Sequence, residues 1–290
     1  MKYFLDFEFL EGDVPVKIFG FNIPKWLIKP NNTIQPISVG LVSSDGREYY
    51  AISKDFNLKE AWNRYDLKRA DYHIDGMDTF LIKVYWIREN VLKPIFDELV
   101  QKNLDYYKQM IRIIPTWTTE VNPKYHIFTY RNFKRLLKLY GKTNKQIAEE
   151  IKDFCLDNIQ IYKSDDGKYT GGVDTYKGKP KFYGYYADYD WVCFCWLFGR
   201  MIDLPKDFPM YCIDLKQELD RKLDLLETYQ ISKIVFPNGD KAFTNDNDGD
   251  LSIKLKRIKT SPNYPKQTNE HNALADAHWN KKLYEFLNNI

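Results

Sequence analysis

Paired cysteines are missing from this chain. Its four cysteines, Cys155, Cys193, Cys195 and Cys212, show none of the CxxC spacing that structural zinc sites use, so buried, reduced thiols are expected instead. Long apolar runs are missing too. The longest uncharged one, WVCFCWLFG, has nine residues, whereas a membrane-crossing helix needs roughly 20. The start, MKYFLDFEF, lacks a basic segment followed by an apolar one, so no secretion leader is read there and a cytoplasmic protein without a membrane partner is expected. An excess of one charge is also absent. The 43 basic and 40 acidic residues leave a net +3, too even for the electrostatic footprint of a dedicated nucleic-acid binder. Any such binding must rest on local patches. No internal repeat is found.

What is present is an ordinary globular composition, 44% hydrophobic and 29% charged, in a chain of 290 residues that can bury a large core. Aromatic residues make up 16% of it, with 22 tyrosines, which fits either a Tyr-rich core and surface or stacking platforms for bases. One domain over residues 1–290 is expected, with insertions at 12–32, 56–84, 103–140 and 226–266.

The first fifty residues read as strands. KYFLDFEF is followed by TIQPISVGLVSSDGREYYAIS, in which two apolar runs flank Asp45-Gly46, a strong hairpin signal, so three antiparallel strands are expected. Helices are expected in WIRENVLKPIFDELV, where Ile87, Val91, Ile95 and Leu99 recur every fourth position, and in TNKQIAEEIKDFCLDN, with Thr143 as its cap. KFYGYYA reads as a short buried strand running into a helix, DYDWVCFCWLFGRM. DLKQELDRKLDLLE is helical, KIVFPNGDKAF resembles a hairpin about Asn238-Gly239, and NEHNALADAHWNKKLYEFLNNI holds a closing amphipathic helix. TNDNDGD has the look of a calcium loop, but counting from Asp246 puts Leu251 where an EF-hand requires glycine. Early strands followed by helices around another strand make an α/β or α+β domain.

The chemistry-bearing residues begin with Asp6 and Glu8, two carboxylates in an otherwise aromatic and aliphatic strand. Side chains two apart on a strand share a face, about 6 to 7 Å from one another. Burying two like charges is costly unless a cation compensates, and Mg²⁺, a hard ion, takes oxygen ligands of this kind. A strand with one solvent-facing side would accommodate the pair equally well. Asp190, with Asp188 as its rival, lies at a strand-to-helix junction, where functional groups of open α/β sheets collect. His271 and Asp276 lie near the start of the last helix. Five helical residues turn through about 500°, so these two can meet one site only if His271 lies in the cap or the loop before the helix.

DxE on the first strand, YD before a helix and HxxxxD at the last helix resemble the three motifs of the DEDDh 3′-to-5′ exonucleases, whose fold is RNase H-like. KYFLDFEFLEG, ISVGLVSSDGREYYAIS, WIRENVL and YDWVCFCWLFGRM, in that order, are similar to segments of a small bacterial exoribonuclease family within that superfamily. The resemblance implies an RNase H-like mixed sheet, three antiparallel N-terminal strands plus parallel ones, flanked by helices. It implies metal ligation by Asp6, Glu8, Asp190 and Asp276, general-base work by His271, and two divalent cations, Mg²⁺ or Mn²⁺. Asp190 is favoured over Asp188 because the family's aspartate follows an aromatic and directly precedes the helix. The implied partner is nucleic acid with a free 3′ end, RNA ahead of DNA, with a homodimer left open. A catalytically silent binding module on the same fold is the alternative of another class.

Substrate contacts are expected near the metal-binding strand. Phe9, Phe19, Phe21 and Trp26 could stack on the terminal base, or instead extend the core or form a dimer contact. In SIKLKRIK, Lys254, Lys256 and Arg257 could track phosphates, or form a solvated strand face.

Overall fold

The computed structural model describes residues 1–14, 17–19, 21–23, 27, 31–70, 80–103, 128–156, 179–236 and 250–290. Strand β1 spans Lys2–Val14, with the short β2 (Lys17–Ile18) and β3 (Phe21–Asn22) after it, then β4 (Asn31–Ser43) and β5 (Glu48–Ile52). Helix α1 (Leu58–Asn63) precedes β6 (Asp66–Ala70) and β7 (Phe80–Val84). A π-helical turn, Arg88–Leu92, leads into α2 (Lys93–Lys102). The wide turn lies just before Pro94, whose nitrogen has no proton to donate one turn back. There follow α3 (Tyr130–Tyr140), α4 (Asn144–Leu156), β8 (Lys181–Gly184), α5 (Asp188–Phe198), β9 (Ile213–Asp214), α6 (Leu215–Leu225), α7 (Thr228–Val235), α8 (Leu251–Ile258) and α9 (Ala273–Asn288).

One sheet has the order β5-β4-β1-β8-β9. β1 runs parallel to β8, with Tyr3 opposite Phe182 and Phe4 opposite Tyr183, and β8 runs parallel to β9. The Ser44 amide donates to the Lys2 carbonyl and the Ser53 amide to that of Ile37, which sets β1, β4 and β5 antiparallel in turn. The sheet is therefore mixed and flanked by helices, compatible with an RNase H-like fold, and its three early strands are those read from the sequence.

The chain divides into two compact units, the first made of Met1–Phe7, Val39–Tyr50 and Lys145–Ile290. Within it, alternation along β1 sorts side chains onto two faces. Phe4 and Tyr183 meet Tyr284, and with Leu219, Leu223, Ile231, Val235, Ile258 and Leu283 they form a core with α6 to α9. Tyr3 and Phe182 face the other way, against Phe154 of α4 and Trp191 and Phe194 of α5. The result is helix layers on both sides of the strands.

The second unit comprises Glu8–Ser38 and Ala51–Asn144. Its aromatic cluster joins Trp62 of α1, Phe96 of α2, Phe128 just before α3 and Phe133 of α3. β6 and β7 pair as an antiparallel ribbon. The segment at 56–84, expected from the sequence only as an insertion, holds a helix capped by Asn57 and two paired strands.

Two expectations are corrected. Lys233–Val235, read as one arm of a hairpin, belongs to α7, while the turn at Asn238-Gly239 lies outside the described residues. SIKLKRIK is α8, not a strand, with Asp250 as its cap. Its Ile-x-Leu alternation satisfied a period of two, but Leu251, Lys254, Leu255 and Ile258 also satisfy the helical spacing, and packing against α6 and α7 decides for the helix.

Candidate metal centre

Phe4, Asp6 and Glu8 occupy alternate positions on β1, so the two carboxylates continue the face whose first member is in the core with α9. Asp276 is in the first turn of α9 and is buried. One ligand oxygen from each of Asp6, Glu8 and Asp276 lies within 4.8 Å of the others. Asp6 and Glu8 are themselves half-buried.

Two features bring α9 to β1. The Asn280 side-chain amide donates to the Leu5 carbonyl at 2.9 Å, bonding the helix to the strand between the two aromatic-to-acid positions. On β4, Gly40 packs so tightly under the helix start that a Cβ there would run into the Ala273 carbonyl and the Leu274 backbone. A glycine in a strand is the signal of such close backbone approach.

Asp190 is in the first turn of α5 and only 5% exposed. Its Oδ1 accepts the Phe7 amide at 3.2 Å, which ties it to β1 between Asp6 and Glu8. Burial pushes its carboxyl up to about 8, opposed by the Phe7 bond and reinforced by the charges of Asp214 and Asp276. Asp188, its rival in the sequence, is exposed. Burial likewise raises the Asp276 carboxyl, against the bonds from Gln267 and His271 that favour its charged form.

His271 precedes the Asn272 cap of α9, so it lies in the loop before the helix, as convergence with Asp276 requires. Its backbone turns left-handed, with φ of 66°, and its amide donates to Asp276 Oδ2 at 3.0 Å. The Gln267 amide donates to the other oxygen, Oδ1, at 2.6 Å. Asp276 is thereby held in one orientation. The Asn272 side chain accepts the Ala275 amide, completing the helix start.

Sequence reasoning missed Gln267, Asp214 and Gly40. Asp214 caps α6, its Oδ1 accepting the Lys216 and Gln217 amides, while its Oδ2 accepts that of Ala187, next to the Asp190 helix. Its position before LKQEL is a readable cap signal. Nothing local marks Gln267.

Of the candidate substrate contacts, Phe19 and Phe21 are 96% and 77% exposed, so neither extends the core. Phe9 is half-buried, and Trp26 lies outside the described residues. Lys254 is buried, and its Nζ donates to the Leu223 and Leu226 carbonyls at 3.1 and 2.9 Å, capping the end of α6. That removes it from any solvent-facing cluster, although Lys256 is exposed and Arg257 half-buried.

No family model matches the chain. Over 61 residues it is 38% identical to a 3′-5′ exoribonuclease from two strains of Mycobacterium tuberculosis. The match takes in 21% of this chain and 26% of the relative, so it spans about a quarter of the relative's length.

Proposed function

We propose that the protein is a metal-dependent 3′-to-5′ exonuclease that acts on RNA in preference to DNA and releases nucleoside 5′-monophosphates. The observation that carries this reading is the convergence of oxygens from Asp6, Glu8 and Asp276 within 4.8 Å of one another, with buried Asp190 bonded to the strand between the first two. The partial likeness to a 3′-5′ exoribonuclease supports the same reading.

The donor set fits a hard divalent cation. All its members are carboxylates, and burial together with neighbouring acids disfavours the charged form of Asp190, a cost that a bound cation would offset. Asp6, Glu8, Asp190 and Asp276 would hold Mg²⁺ or Mn²⁺. Bound there, such ions would supply charge stabilisation for a displacement at phosphorus.

The protein's own groups do the rest. An imidazole nitrogen of His271 accepts the proton of the attacking water, the general-base role that histidine commonly takes. The left-handed backbone at His271 and the bond from its amide to Asp276 fix the main chain that carries the base relative to the acid. Gln267 keeps Asp276 from rotating away. Phe19 and Phe21, exposed at the β2–β3 turn, offer rings on which the terminal base can stack.

The test is digestion of 5′-labelled RNA and DNA of one sequence, with Mg²⁺ or Mn²⁺ and with chelator. A one-nucleotide ladder receding from the 3′ end, faster on RNA and abolished by chelator, is expected. A faster ladder on DNA would reassign the substrate. No hydrolysis of single strands, overhangs or hairpins in either metal would return the protein to the silent binding class.

A further inference from the structure

The β6–β7 ribbon is a two-stranded element with side chains exposed on both faces. Leu67, Leu81 and Tyr65 are 57%, 60% and 43% exposed, and Ile82 on the opposite face is 40% exposed. An isolated two-stranded ribbon is marginal in water, and so much apolar surface on one usually marks a binding site.

The register shows what one face presents. Leu67 stands opposite Lys83 and Arg69 opposite Leu81, and since side chains alternate, these four share a face, continued by Tyr65 and Tyr85 just beyond the paired residues. The rings of the two tyrosines lie 5.8 Å apart. The Lys83 ammonium sits 4.2 Å from the Tyr65 ring, and the Arg88 guanidinium 3.8 Å from that of Tyr85. The ribbon's acid, Asp66, and its remaining lysine, Lys68, fall on the other face. The face is therefore aromatic, aliphatic and cationic, with no carboxylate among its paired residues.

We propose that this face binds single-stranded nucleic acid, Tyr65 and Leu67 taking bases against them while Arg69 and Lys83 meet phosphates. The proposal deepens the nuclease reading and rests on it for the identity of the ligand. A strand of unpaired bases is the occupant that matches both properties, since its bases stack on aromatic rings without sequence preference and its phosphates require cations in the same groove. A second copy of the chain or a protein partner would need apolar surface but not Arg69 and Lys83 on a face whose paired residues lack a carboxylate; the Arg88 guanidinium, beyond them, is paired with Glu89 at 3.0 Å.

Binding of a fluorescent 15-nucleotide single-stranded RNA is measured by anisotropy in chelator across a salt series, so that it does not depend on hydrolysis, and ladder formation in Mn²⁺ is read alongside. Wild-type protein should bind. Arg69→Ala with Lys83→Ala should weaken binding about tenfold, and should lower the slope of log K against log salt by about 1.4, since each phosphate contact on a single strand contributes about 0.7. Tyr65→Ala should weaken it by a similar factor without changing the slope. Lys83→Gln, which keeps the side-chain length, serves as the control for folding and should lower the slope by about 0.7. Unchanged affinity and slope in all these variants would overturn the proposal, as would a change in sedimentation from dimer to monomer with binding intact, which would assign the face to a second copy. Absence of a ladder with binding retained would instead count against the nuclease reading alone.

Discussion

Asp6 and Asp276 are the acids on which the proposed metal site turns. Asp276 is buried with each oxygen accepting a donor, so Asp276→Asn removes the charge at little change of volume while setting its NH2 against one of those donors. Asp6→Asn or Asp276→Asn should abolish metal-dependent hydrolysis with far-ultraviolet circular dichroism unchanged; full activity in either would remove that acid from the mechanism. His271 permits a separate experiment, because its φ of 66° suits glycine better than alanine. His271→Gly should lower kcat by about 10² to 10⁴ with a smaller change in KM, and an unchanged kcat would make the imidazole structural. The sequence displayed these residues because paired acids in an apolar strand and an HxxxxD spacing are local patterns. Gln267 carries no such pattern, since its role arises only when the loop before α9 brings it to Asp276.

At the scale of elements, helices were legible where the apolar period was clear, as in α2 and α4. α8 was misread because Ile253 and Leu255 alternate as on a strand while Leu251, Leu255 and Ile258 follow the helical spacing, and the outcome hangs on tertiary packing of Ile258 and on buried Lys254. Lys254 links two helices by donating to carbonyls at the end of α6, so Lys254→Met should cost about 1 to 3 kcal/mol through unsatisfied carbonyls. Chemical denaturation measures this, and no loss would mean that water replaces the ammonium. Gly40→Ala tests how β4 seats α9. The added methyl meets the Ala273 backbone, so stability should fall by about 1 to 3 kcal/mol. Activity should fall further than stability if the displaced helix carries Asp276 out of register.

For the whole molecule, the raised carboxyls of Asp190 and Asp276 tie stability to pH. The folded Asp190 carboxyl is raised to about 8 from an ordinary value of 3.8, so the unfolded chain releases its proton first as pH rises. The group's contribution to stability is full below its unfolded pKa and is lost as pH climbs through its folded one. Asp276, also raised, acts in the same direction. In chelator, the melting temperature should therefore decline between pH 5 and pH 8 more than it does in Mg²⁺, and the stabilisation by Mg²⁺ should grow over that range. Equal shifts at both pH values would show that the ion binds elsewhere.

The account stands most directly on where a cation binds. In a crystal soaked with Mn²⁺, anomalous density should appear within bonding distance of carboxylate oxygens of Asp6, Glu8 and Asp276, and should vanish in Asp6→Asn. Manganese density confined to other acids, with none among these three, would contradict it.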